Sequence, residues 1–175
     1  MAAKNSKMLY LNVDLHGLRG KYHPSLSNII TTEDVKISRL HLKFLSGDYL
    51  TYQTKFDQSG KGSPLCKICR TENETISHII ASCPAYSETR IRILQEFSEL
   101  CLLTKSKINF QDTLDNPETL TQFILDPTSF NLEKRVNISD PVIEPLFKLS
   151  RALCFSIHTN RIRRLQNLQD LNKPD

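Results

Sequence analysis

Four side chains within 18 residues constrain this chain more than anything else in it. Cys66-Lys-Ile-Cys69 is followed by eight residues, His78, four residues and Cys83, a C-x2-C-x8-H-x4-C pattern. Zinc takes four soft or borderline ligands in a tetrahedron, usually thiolates and imidazole. A C-x2-C pair offers two thiolates from one tight turn. The x4 separation lets a short helix over Glu74 to Ala81 present His78 from its face and Cys83 from just past its end. The flanks agree: Ser63-Pro64 leads into the turn, residues 70–73 are polar, and Pro84 stops the helix after the last ligand. The spacing therefore predicts one zinc ion on Cys66, Cys69, His78 and Cys83. Four protein ligands leave no open coordination position, so such a site is structural, supplying folding energy on the order of 10 kcal/mol that a 20-residue loop cannot draw from a core.

The remaining cysteines, Cys101 and Cys154, lie elsewhere. An odd total of five, with no secretory signal expected from Met1 to Leu11, argues against a disulfide framework. Cys101 falls on the stripe Tyr86, Arg90, Ile93, Leu94, Phe97, Leu100, Cys101, which recurs at three and four residues, and Cys154 falls in the apolar part of the last helical stretch. Both read as core.

A chain of 175 residues has room for one ordinary domain, and 39% hydrophobic residues suffice to build its core. No apolar run approaches the roughly 18 residues that span a bilayer. An intracellular protein, nuclear or cytoplasmic and without a membrane partner, is expected. The net charge of +4 is unevenly spread. Residues 1–86 carry 11 basic and 7 acidic side chains, residues 87–144 carry 6 and 10, and residues 145–175 carry 6 and 2. A polyanionic partner would meet the basic ends.

Periodicity and punctuation predict a mostly α fold, a small helical domain organised around the CCHC zinc knuckle, in three stretches. Residues 1–30 form a loop-rich lead-in, with a possible short strand over Leu9 to Val13. Residues 31–103 form a helix–knuckle–helix domain. There Thr31 or Thr32 caps a first helix with Glu33 and Asp34 in its first turn, a second helical stretch runs Asp48 to Asp57, and a third runs Tyr86 to Leu103. Residues 104–175 form a helical C-terminal extension. In it Asn116-Pro117-Glu118 opens a helix that ends near Asp126-Pro127, and a long helix starts between Pro141 and Pro145 and reaches Leu168.

No glycine-rich phosphate loop, no H-E-x-x-H and no strand-borne carboxylate set is present, and Asp14 stands alone. No catalytic residue and no small-molecule substrate are expected. The runs Ser38 to Leu50 and Pro64 to Tyr86, above all Glu74-Thr-x-x-His78-x-x-x-x-Cys83-Pro84 with Arg90 trailing, resemble the zinc-binding domain that follows reverse transcriptase in non-LTR retrotransposon polyproteins. The resemblance covers about residues 33–100. It implies zinc binding and a role in holding template RNA or target DNA; polymerase and endonuclease motifs are absent, so no activity is carried over. Arg39, Lys43, Lys67, Arg70, Arg90 and Arg92 are the candidate phosphate contacts, and Tyr49 and Tyr52 the candidate stacking platforms. Two other readings stand beside this one: a zinc-stapled protein-interaction module whose last helix docks a protein partner, and a retroelement fragment without function.

Overall fold

The first helix, α1 (Thr32–Ser46), starts where a capping box forms. The Thr31 Oγ1 accepts from the Asp34 amide at 3.1 Å, while the Asp34 carboxylate accepts from the Thr31 amide at 2.8 Å, so two otherwise unpaired donors are satisfied reciprocally. Gly47 ends the helix at φ 81°, a left-handed geometry in which glycine carries no steric penalty. The structure, a computed structural model, describes Tyr10, residues 24–103, Phe110, and residues 114–129 and 141–170. Apart from Tyr10, the possible strand over residues 9–13 lies outside these residues, as does much of the polar stretch 104–116.

Four further α-helices follow among the described residues: α2 (Tyr52–Ser59), α3 (Ser87–Leu103), α4 (Pro117–Leu125) and α5 (Ile143–Asp170). The fold is mostly α, with no strand among the described residues; an isolated bridge pairs Leu65 with Asn73. Helix α4 opens as expected, with the Asn116 side chain accepting from the Glu118 and Thr119 amides and Pro117 at the first helical position.

Helix α2 departs from its expected start at Asp48. Tyr49 is drawn into the core, its ring stacked on Phe44 at 3.9 Å between centroids, so the chain stays non-helical until Thr51 caps the helix. Alternation of one buried aromatic with exposed neighbours is invisible to a period-3.6 reading of so short a segment. The expected helix from Glu74 to Ala81 is also recast: Glu74 precedes the helical turns, and His78–Ser82 is wound as a π-helix that closes with the Cys83 amide donating to the His78 carbonyl at 2.6 Å.

The long helix α5 packs on both α1 and α3, so the C-terminal helix shares a core with the Cys/His segment. Phe44, Ile79, Ile80, Phe97, Phe123, Phe147, Leu153 and Ile157 are all fully buried in one continuous cluster. Cys101 and Cys154 are buried in it, as the stripe of α3 and the apolar part of the last helix predict. Two buried polar groups pin elements together. The His41 Nε2 on α1 lies 3.1 Å from the Leu125 carbonyl of α4 and 2.8 Å from the Ser150 hydroxyl of α5. Arg151 of α5 donates to the Ser25 and Ser27 carbonyls, tying the turn at Pro24–Leu26 to the helix.

Candidate metal centre

Residues 64–74 fold back on themselves through backbone hydrogen bonds: the Cys66 amide donates to Glu72, the Glu74 amide to Pro64, and the Arg70 amide closes the Cys66–Arg70 turn at 2.9 Å. Arg70 sits at φ 61°, the left-handed step that lets this turn reverse so tightly. Cys66 and Cys69 thereby face the π-helical turn that carries His78 and ends at Cys83. The three sulfurs and one imidazole nitrogen all lie within 4.8 Å of one another. A tetrahedron with Zn–S near 2.3 Å and Zn–N near 2.0 Å has edges of about 3.5–3.8 Å, so small side-chain adjustments close the cluster on a single ion. The four residues form a site able to hold one metal ion, and the sulfur-rich donor set suits zinc.

The imidazole is oriented by a second interaction. The Nδ1 of His78 lies 2.9 Å from the Glu72 carboxylate, leaving Nε2 to face the Cys69 sulfur at 3.2 Å. This carboxylate–histidine arrangement fixes which nitrogen is offered to a metal and raises its basicity. Burial alone would lower the His78 pKa; hydrogen bonds with Cys66, Glu72 and Cys69 more than offset it and hold it at about 9. Cys66 is pulled down to about 3, chiefly by its hydrogen bond with Cys83, whose own thiol is pushed far above the ordinary range by the same contact. A cation held here must displace the protons that His78 and Cys83 hold above their ordinary ranges, since metal binding requires deprotonated ligands.

Three residues that the spacing did not single out support the segment that carries the cluster. Glu72 is the first. The second is Glu74, fully buried midway between Cys69 and His78, whose Oε1 accepts from the Tyr52 amide at 2.9 Å and caps α2. The third is Arg161 of α5, 6% exposed, which donates to both Glu74 oxygens, at 2.6 Å from Nη2 and 3.4 Å from Nε. Arg161 also lies over the rings of Tyr49 and Tyr52, at 5.6 and 5.7 Å. Burial would lower its pKa, but the Glu74 carboxylate overrides this and raises it. Glu74 does stand in the Glu-Thr-x-x-His string; nothing in the sequence near Arg161 ties it to a residue 87 positions away.

The basic residues expected to contact phosphate scatter. Arg90 is 8% exposed and points inward, its guanidinium donating to the Cys83 carbonyl at 2.9 Å and the Ile80 carbonyl at 3.4 Å. It braces the backbone of the fourth ligand, which is why it falls on the buried stripe of α3. Arg39, Lys43, Lys67, Arg70 and Arg92 are exposed. Lys67 and Lys55 both stand over the Tyr52 ring, at 4.7 and 5.3 Å. Tyr49 is no stacking platform: its face is covered by Phe44 and its hydroxyl bonds His158 Nδ1 at 3.0 Å. No described helix is long and apolar enough to cross a membrane. No family model, curated protein or solved structure matches this chain.

Proposed function

We propose that this chain is a zinc-stapled helical module that binds nucleic acid through phosphate contacts, without a catalytic step, akin to the zinc-binding domain after reverse transcriptase that its sequence resembles. The observation that carries the reading is the convergence of Cys66, Cys69, His78 and Cys83 within 4.8 Å, braced by Glu72 and Arg90. A zinc ion bound there is coordinatively closed and supplies folding energy rather than a reactive water. Exposed Arg39, Lys43, Lys67, Arg70 and Arg92 leave the module able to meet a polyanion once that core is set.

The test has two stages. Metal content of the purified chain should be one zinc per molecule, and chelation should reduce its helical circular dichroism. Fluorescence anisotropy with labelled single-stranded and duplex oligonucleotides should then show binding that weakens steeply with salt, as counterion release requires. A metal-free chain whose helicity ignores chelator would refute the staple. Binding to neither oligonucleotide at low salt would refute the nucleic-acid reading.

A further inference from the structure

A groove of about 470 Å³ runs between the end of α1, the link into α2 and the C-terminal half of α5. Its lining mixes three kinds of surface. Leu50 and Ile162, respectively 49% and 39% exposed, give it apolar floor on opposite sides. Lys43 and Lys55 stand on its rim, and no described carboxylate forms an ion pair with either. Gln166 and Gln169 add amide donors and acceptors from α5. Asp48 is the one acid in the lining, and its carboxylate accepts from the Ser46 hydroxyl at 3.0 Å. Beside the groove, Lys67 reaches over Tyr52 from the metal loop, so it shares that ring with Lys55 while Lys43 joins the lining from α1.

Resting on the nucleic-acid reading above, we infer that this groove is where a single strand of nucleic acid lies, phosphates on Lys43, Lys55 and Lys67 and bases on Tyr52 and the apolar floor. Bases with polar edges and apolar faces match a lining that carries Gln166 and Gln169 beside Leu40, Leu50, Ile162 and Leu165. Lys43 and Lys55 outnumber Asp48 there, a charge balance that suits a phosphate backbone over the apolar face of a docked helix. The Lys67 and Lys55 ammonium groups lie on flexible stems over Tyr52 and can swing to a phosphate as a base takes their place on the ring. Single-stranded sites of this kind span several nucleotides.

The metal loop sets the shape of this site. Glu74 holds Arg161 on one wall and the Tyr52 amide on the other, so the cluster that flanks Glu74 in sequence fixes the distance between walls.

The experiment uses the zinc-loaded full chain and a fluorescein-labelled oligouridylate of about 12 nucleotides. The Lys43→Gln/Lys55→Gln double variant changes only exposed side chains, and its zinc content and circular dichroism should match the parent. Two lost phosphate contacts should reduce the salt slope by about 1.4 and weaken binding about 25-fold at 0.1 M salt. The comparison variant, Lys61→Gln/Lys148→Gln, removes the same charge from exposed positions outside the groove lining and should lose much less. If instead the loss falls on Lys61 and Lys148, the groove is overturned while nucleic-acid binding stands. Equal losses in both variants, or tighter binding to an oligoglutamate peptide than to oligouridylate, also overturn it. No oligonucleotide binding by the parent chain removes both.

Discussion

Replacing Arg161 by Met, Glu74 by Gln, or both, tests whether the centre and the long helix form one energetic unit. The two side chains bury a bidentate pair, with Glu74 fully excluded from solvent and Nη2 2.6 Å from Oε1. At an effective dielectric near 20 and a separation near 3 Å, their attraction is roughly 5 kcal/mol, set against desolvation of both ions. Arg161→Met leaves a buried carboxylate whose remaining described contact is the Tyr52 amide; Glu74→Gln leaves a buried guanidinium with two aromatic faces and a neutral amide. Each single variant should lose about 3–5 kcal/mol. For a chain of this size that lowers the melting midpoint by roughly 6–20 °C. The double variant, with no charge stranded, should be more stable than the sum of single losses implies, by at least about 2 kcal/mol. The assay is urea unfolding followed by circular dichroism in saturating zinc, with metal content checked for all four proteins so that ligand loss is not mistaken for pair loss. Additivity of the two losses within about 0.5 kcal/mol would refute the argument, because uncoupled sites behave that way.

Arg90→Met should weaken zinc retention in a chelator competition, since the Ile80 and Cys83 carbonyls lose a charged donor worth about 1.5–3 kcal/mol, yet leave the salt slope of oligonucleotide binding unchanged. A changed slope with unchanged zinc retention would return Arg90 to the phosphate contacts. The capping box predicts a pH effect of definite sign. Backbone hydrogen bonds from Thr31 hold the Asp34 pKa below its ordinary 3.8, so its stabilisation is complete above that value and lost as pH falls through the lower, folded pKa. Wild type should therefore exceed Asp34→Asn in melting temperature at neutral pH, the difference vanishing in acid; a constant difference from neutral to acid pH would contradict the assignment.

Much of this architecture was legible because its causes are local. The Thr31 and Asn116 caps, Gly47 and the two prolines at 117 and 127 act within a few residues, and they mark helix limits before any packing is known. The Cys/His cluster was legible for the same reason: C-x2-C and H-x4-C each offer two metal-ligating side chains from one turn of chain. The orienting partner of His78 was less so, since an acid six residues upstream is common on any polar loop.

Tertiary packing decided the rest. A basic residue carries the same charge in the sequence whether its guanidinium meets water or a carbonyl, so only burial of the α3 stripe turned Arg90 inward and only the stack on Phe44 removed Tyr49 from the surface. The Glu74–Arg161 pair and the groove beside it depend on α5 returning across α1, a long-range arrangement governed by complementary apolar faces rather than by any residue's neighbours in the chain. The sequence by itself determined which side chains could gather round a metal and where α1 and α4 begin. Which cations stay free for a partner was settled by the shape of the core, because desolvation of a charge is a property of its surroundings and not of its identity.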